Sequence, residues 1–315
     1  MQGPLPTDSN TARNALYLAL GIVTVGYLAM LVRALRQRAA AGDQVRPGIA
    51  ISLISFVANF FDTLGIGSYA TTTTMFRWGK LVSDELLPAT LNVGYVIPTV
   101  IQAYYYNKTV PVDPTTLVIM IAASVVGAWL GAPVVASLPR RKIQIGMGVS
   151  LLVFALIAVL GQPQIGLLPT GGDALALTGG KLAFAAVANF LLGALMTLGI
   201  GLYGPCMILI YMLGMRPTAA FPIMMGSCAF LMPLASVRFL KTKAYEPKAI
   251  LAMLLAGIPA VLIAAIMVTN FPIAIVKWLV IVVVTYAAIN LLRAAQRERD
   301  LASVATIAET QPAGD

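Results

Sequence analysis

Long stretches without a charged residue are the feature that most constrains this chain. A transmembrane helix needs about 20 predominantly apolar residues to cross roughly 30 Å of hydrocarbon. With 59% hydrophobic and only 10% charged residues, the chain has too few charges to cover its apolar surface in water. The charge-free windows lie at 14–32, 63–76, 86–107, 114–139, 143–172, 182–215, 217–237, 249–276 and 278–292. The sequence therefore predicts an all-α integral membrane protein that depends on the lipid bilayer as its solvent.

Composition also excludes several function classes. The net charge is +9, but the basic residues stand singly or in short clusters between apolar runs, so we expect no nucleic-acid partner. The chain has no histidine, which removes catalytic triads and His-ligated zinc, and we expect neither a metal nor a cofactor. Cys206 and Cys228 lie in apolar stretches, where they are either small core residues or reactive thiols rather than a disulfide.

Two windows have the wrong length for one ordinary span. Asp62 divides residues 48–76 into two pieces of about 14 residues, each roughly 21 Å long as a helix. The charge-free window 182–215 is too long for one span and too short for two with a turn. Both contain glycine pairs, and we interpret each as a hairpin of two helices broken inside the membrane. The alternative is one tilted helix followed by an interfacial segment.

The two breaks belong to an internal repeat. The segment 63–69 (TLGIGSY) recurs as 197–203 (TLGIGLY), and Ala-Asn-Phe at 58–60 recurs at 188–190. Further matches follow downstream at nearly the same spacing: Pro88 with Pro222, Lys108 with Lys241, and Pro114 with Pro247. Similarity that keeps this order and spacing along both halves of the chain indicates a duplicated unit.

Basic residues predict the orientation. If the clusters at 33–46, 140–142, 238–248 and 293–299 are cytoplasmic together with Arg77 and Lys80, 16 basic residues lie inside and five outside. Each repeat then makes an odd number of crossings, so the two have opposite orientations. Inverted repeats with interrupted helices are typical of secondary transporters that bind substrate near the midplane. The predicted units are an N-terminal segment with an extra helix (1–47), repeat 1 (48–162), an external loop (163–181), repeat 2 (182–293) and a cytoplasmic tail (294–315).

Two helix N-termini meeting at the midplane would favour an anion without a buried cation, and no Lys or Arg falls in 48–76 or 182–215. Compact polar and small residues surround the breaks. A membrane threonine can instead bond its own helix, and small residues can serve helix packing alone. The predicted substrate-binding residues are Asn59, Thr63, Gly65, Gly67, Tyr69, Thr71 and Thr72 in the first half, and Asn189, Thr197, Gly199, Gly201, Tyr203, Gly204 and Cys206 in the second.

Asp62 is the only acidic residue in either hairpin. An intramembrane carboxylate is costly and marks a functional site by default. It is our candidate for a coupling proton, and the alternative is that it caps the following half-helix. Its counterpart by spacing from the glycines is Met196, so the symmetry is broken at this position.

The duplicated order of these motifs resembles the sulfite exporter TauE/SafE family of bacterial permeases. The resemblance lies in LGIG at 64–67, in LGIG at 198–201 followed by Gly204-Pro205, and in VGAWLGA at 126–132, and it extends over roughly 48–293. It implies a multi-pass protein of the bacterial inner membrane that exports sulfite, thiosulfate or an organosulfonate. The first copy departs from the family pattern at Ser68, Ala70 and the threonine run at 71–74.

We therefore expect a secondary transporter for a small sulfur-containing anion, working by alternating access, and not an enzyme. An anion channel with a symmetric pore is the main rival. A lipid-modifying membrane enzyme is the other, although the sequence shows no nucleophile–base couple. The sequence does not predict the oligomeric state.

Overall fold

The computed structural model describes residues 7–83, 85–136, 140–160, 162, 165, 172–196 and 202–310, and these are helical almost throughout. The helices, in chain order, are α1 (Thr7–Ala40), α2 (Ile49–Thr63), α3 (Tyr69–Trp78), α4 (Leu87–Thr109), α5 (Pro114–Ala136), α6 (Arg140–Leu160), α7 (Gly179–Met196), α8 (Tyr203–Met212), α9 (Ala220–Thr242), α10 (Pro247–Thr269) and α11 (Ile273–Thr310). A short 3₁₀ turn, Pro217–Ala219, precedes α9. The described residues contain no β-strand, only one isolated bridge between Ala174 and Met215.

Six helical segments in the described part are long and apolar enough to cross a membrane. They are Thr11–Ala40, Arg141–Leu160, Gly179–Met196, Pro217–Thr242, Pro247–Thr269 and Ala274–Arg299. Their outward sides carry large apolar side chains, as in Leu18, Leu156 and Val282, which are more than half exposed in the isolated chain. Such surfaces are stable facing hydrocarbon. The prediction of an all-α, multi-pass membrane protein is confirmed.

The helix boundaries repeat along the chain. Helices α3 and α8 have 10 residues each and begin at equivalent tyrosines of the two halves, Tyr69 and Tyr203. Helices α4 and α9 have 23 residues each, as do α5 and α10, which both begin at a proline. Proline suits the first turn of a helix because an N–H at that position would have no partner within the helix, so its absence costs no hydrogen bond. The second half thus repeats the helix order of the first.

Each half packs mainly against the other. Helix α2 lies against α10 and its counterpart α7 lies against α5, while α4 packs on α9 and α6 packs on α11. The α5–α7 crossing is close because it is lined by glycine: a Cβ on Gly127 would overlap the Phe190 carbonyl, and one on Gly193 would overlap the Ser124 carbonyl. Small residues permit this approach between membrane helices. The two halves therefore form one interlocked bundle.

The first helix is part of this bundle. Helix α1 packs on α4, α5 and α9, and the buried Tyr27 hydroxyl donates to the Val93 carbonyl at 2.6 Å. At its end, Arg38 pairs with Asp43 at 2.8 Å and lies 5.5 Å from the centre of the Tyr245 ring, in the loop between α9 and α10. At the other end of the chain, the segment predicted as a tail after residue 293 continues as helix to Thr310.

Candidate anion site

Helix α2 ends at a glycine break. Gly65 has a φ of +91° and Gly67 a φ of +83°, both in the left-handed region that favours glycine. The Gly65 N–H donates to the Asp62 carbonyl at 2.8 Å, and the Ile66 N–H donates to the Phe61 carbonyl at 3.2 Å. This pair of bonds is a Schellman C-cap, which satisfies the last carbonyls of a helix and turns the chain away from its axis. Helix α3 then begins at Tyr69.

The Asp62 side chain joins the two sides of this break. Its Oδ1 accepts the Ser68 N–H at 2.8 Å, and its Oδ2 accepts Gln102 Nε2 at 3.0 Å. The same Gln102 nitrogen also donates to Thr63 Oγ1 at 2.8 Å. Asp62 thus lies in the last turn of α2 and accepts the N–H of Ser68, the N-cap residue of α3. It joins the two half-helices, but it does not accept the first N–H groups of α3 as an N-cap side chain would.

Helix α4 supplies polar partners that the sequence analysis did not single out. The Tyr106 hydroxyl donates to the Thr63 carbonyl at 2.8 Å, and the Tyr95 hydroxyl bonds Thr72 Oγ1. Tyr95 also stacks on Tyr69, with ring centres 5.8 Å apart. Tyr95, Gln102 and Tyr106 are fully buried. They are spaced seven and four residues apart, so they lie on one face of α4. That polar spacing within an apolar helix is the signal that could have identified them.

The start of α3 has the properties expected of an anion site. The first N–H groups of a helix have no partner within it, and here they belong to Tyr69, Ala70 and Thr71. Gly67, just upstream, has open space where a Cβ would be. A Cβ on Gly65 would instead overlap the end of the Met207 side chain. Of these two predicted glycines, Gly67 is therefore the open position, and Gly65 lies in the turn and packs against α8.

The starts of α3 and α8 both contact the first half of α11. Thr71 Oγ1 lies 2.9 Å from the hydroxyl of Tyr286. A Cβ on Gly204, in the first turn of α8, would lie only 2.8 Å from the Cβ of the next residue, Ala287. The Tyr203 hydroxyl faces the Asp62 carboxyl group. Neighbouring residues of one helix therefore contact the beginnings of both α3 and α8.

The second half replaces the polar residues of the first by sulfur. Cys228, on α9, occupies the position that corresponds to Tyr95 in the first repeat, and it contacts Tyr203. Its Sγ lies 3.7 Å from the Sδ of Met196, the counterpart of Asp62. Cys206 is also fully buried. The site therefore has an oxygen-rich side from α2, α3 and α4, and a sulfur-rich side from α7, α8 and α9.

The remaining predicted residues lie further from the breaks. Asn59 Nδ2 donates to the Ser55 carbonyl at 2.7 Å, and Asn189 Nδ2 donates to the Met120 carbonyl at 2.6 Å. Both asparagines are fully buried, and the Oδ1 atom of each lacks a hydrogen-bond partner. Asn59 thus lies about one turn before the end of α2, and Asn189 about two turns before the end of α7. Thr197, Gly199 and Gly201, where the sequence predicts the second break, lie outside the described residues.

Together, the fold and this cluster define a multi-pass α-helical membrane protein with interrupted helices at its centre. The model of the family "Sulfite exporter TauE/SafE" matches residues 7–158 of the chain. This match supports the family recognition over residues 7–158. No curated protein and no solved structure matches the chain.

The extent of the match corrects one expectation. We placed the first helix outside the family resemblance and the second half inside it, whereas the match begins at residue 7 and ends at 158. The physical reason for including α1 is its burial against α4, α5 and α9, which makes it part of the packed bundle.

Proposed function

We propose that this protein is a secondary transporter that moves a small sulfur-containing anion across the bacterial inner membrane, with export as the direction. The family is one of sulfite exporters. The observation that supports an anion site most directly is the convergence of α3 and α8 on Tyr286 and Ala287. Two half-helix starts at one point add their dipoles and free N–H groups, which stabilise an anion without a buried base.

In this proposal the ligand lies between backbone segments 63–72 and 197–206. Gly67 and Gly201 allow the anion to approach the backbone, and the N–H groups that open α3 and α8 bind its oxygens. The hydroxyls of Tyr69, Thr71 and Tyr203 are close enough to these starts to add hydrogen bonds. The other substrate-binding residues of the proposed site are Asn59, Thr63, Gly65, Thr72, Asn189, Thr197, Gly199, Gly204 and Cys206.

Inverted orientation of the two repeats would complete the mechanism. The matching helix lengths and the reciprocal packing of α2 on α10 and α7 on α5 support a two-fold relation between the halves. If that axis lies in the membrane plane, rocking of one repeat against the other exposes the central site to each side in turn. Such alternating access distinguishes a transporter from a channel with the same symmetry.

The test is a binding screen on the purified full-length protein. Sulfite, thiosulfate, sulfoacetate and taurine are compared with chloride and acetate by isothermal titration calorimetry. We expect saturable binding of at least one sulfur anion and none of the two control anions. Binding of no sulfur anion, or equal binding of acetate, would reject the proposal and return attention to the enzyme alternative.

A further inference from the structure

Asp62 places a carboxylate at the helix start that the proposed function assigns to the anion. Its Oδ1 accepts the Ser68 N–H at 2.8 Å, and Ser68 immediately precedes the first residue of α3. A carboxylate in this position is itself an anion bound at a helix N-terminus. A substrate anion on the next N–H groups would therefore lie beside a like charge.

The surroundings of Asp62 provide no basic group, among the described residues, to offset that charge. Asp62 is 3% exposed, and the ionisable groups that interact with it are Tyr69 on α3, Tyr95 and Tyr106 on α4, Tyr203 on α8 and Cys228 on α9. Helix α10 also packs on α2, and its one charged residue, Lys248, is in its first turn. A buried carboxylate without a counter-charge is costly and needs either a proton or a bound cation.

The geometry favours a proton over a metal cation. Transporters with broken helices hold Na⁺ with backbone carbonyls exposed at the break. Here the Phe61 and Asp62 carbonyls accept the N–H groups of the Schellman turn, and the Thr63 carbonyl accepts the Tyr106 hydroxyl. The last carbonyls of α2 are therefore already used.

Gln102 provides an acceptor for that proton. Its side chain is fully buried, its Nε2 bonds Asp62 and Thr63, and its Oε1 has no hydrogen-bond partner. An unsatisfied buried acceptor next to a carboxylate is unfavourable while the carboxylate is ionised. Rotation of the amide would bring Oε1 to accept a proton held on Asp62 Oδ2, while Oδ1 keeps the Ser68 N–H.

From this arrangement we infer that Asp62 takes up one proton when the anion binds at the start of α3, so that proton and anion cross the membrane together. The inference rests on the proposed function and adds its coupling. A dianion such as thiosulfate that leaves the cell with one proton still carries one negative charge, so an inside-negative membrane potential continues to favour its export. Asp62 keeps its bond to the Ser68 N–H in both states. Its ionised form excludes the anion, and its protonated form admits the anion. Because linkage is reciprocal, the bound anion must also raise the proton affinity of Asp62.

The experiment measures thiosulfate binding to the full-length protein over about pH 5 to 9, the range in which a displaced carboxyl group would titrate. Thiosulfate is the probe because it stays ionised throughout, whereas sulfite itself gains a proton near neutrality. We expect the Kd to rise with pH, by up to about tenfold per pH unit for one linked proton. Calorimetric titrations in buffers of different ionisation enthalpy measure the protons taken up on binding. They should show close to one proton per thiosulfate at pH values where Asp62 is ionised in the free protein and protonated in the complex.

Two variants complete the design. Asp62→Asn retains an oxygen for the Ser68 N–H and should bind thiosulfate at all pH values as tightly as the native protein does at low pH. Asp113→Asn is the matched control, since Asp113 also accepts a backbone N–H at a helix start, that of Thr116 at 2.8 Å, but lies outside both hairpins. It should keep the native pH profile.

The outcomes separate the coupling from the function. Binding by the native protein without pH dependence and without proton uptake would overturn the coupling and leave the anion site standing. Affinity that depends on Na⁺ at fixed pH would likewise overturn it. If thiosulfate binds at no pH, and the other sulfur anions do not bind either, the proposed function falls together with the coupling. The native measurements decide the matter even if Asp62→Asn does not fold.

Discussion

Single residues at the first break divide into those that make the turn and those that border open space. Gly65 lies in the Schellman cap and against Met207, so its conformation is required for folding. Gly67 has a positive φ as well, but its missing side chain leaves open space. The sequence could show that both positions need glycine, but not which one has free space beside it, since that depends on α8 in the other half of the chain.

This difference predicts the effect of asparagine, which tolerates the left-handed region better than other side chains. Gly67→Asn should fold but should weaken thiosulfate binding at least tenfold, because its side chain would occupy the open space. The control is Gly42→Asn, a loop position with a φ of +90° and equally open surroundings, which should bind normally. Calorimetry and thermal unfolding measure the two effects. Native affinity in Gly67→Asn would remove Gly67 from the site.

Two buried or partly buried threonines allow the contribution of one hydrogen bond to stability to be measured. Thr63 and Thr24 both donate to the carbonyl four residues earlier in their own helix, at 2.8 and 2.6 Å. Thr63 also accepts a hydrogen bond from Gln102. Thr63→Val leaves that donor with one acceptor fewer and should lower stability by about 1–3 kcal/mol, whereas Thr24→Val should change it by less than about 0.5 kcal/mol. Equal unfolding temperatures would show that the Gln102 bond does not contribute.

At the scale of whole helices, the sequence predicted some boundaries closely, because apolar windows and prolines define them directly. The window 86–107 matches α4 within two residues at each end, whereas 249–276 runs well beyond the end of α10 and 14–32 stops short of both ends of α1. The polar face of α4 was not predicted, since Tyr95, Gln102 and Tyr106 acquire their meaning only from α2 and α3 packed against them. Likewise, the length of α11 beyond residue 292 was missed because its charged end follows no membrane pattern.

The close crossing of α5 and α7 predicts that adding a methyl group at this contact lowers the stability of the protein. Gly193→Ala would drive a methyl group into the Ser124 carbonyl and force the helices apart, at a cost of about 1–3 kcal/mol. Gly180→Ala, in the first turn of the same helix, has open space and serves as the control. Thermal unfolding in detergent should show a lower midpoint for Gly193→Ala alone. Similar midpoints for the two variants would mean that the crossing adapts without strain.

For the molecule as a whole, the orientation in the membrane follows from the basic clusters and predicts which loops share a side. Single cysteines are introduced into a variant in which Ser replaces Cys206 and Cys228. Positions in 33–46 and 140–142 should react only with a reagent that reaches the cytoplasmic face, and positions in 162–180 only from outside. Labelling of 33–46 and 162–180 from one side would exclude inverted repeats.

The central claim is that one central site binds a sulfur anion and carries it across the membrane. Counterflow in proteoliposomes tests it most directly: vesicles loaded with unlabelled thiosulfate are diluted into labelled thiosulfate at the same pH on both sides. A transporter with alternating access predicts that the label accumulates transiently above its equilibrium level, with the accumulation abolished in Gly67→Asn and retained in Gly42→Asn. Entry that rises only to equilibrium, at a rate that does not saturate, would indicate a channel, and entry no faster than in empty vesicles would contradict transport of this anion.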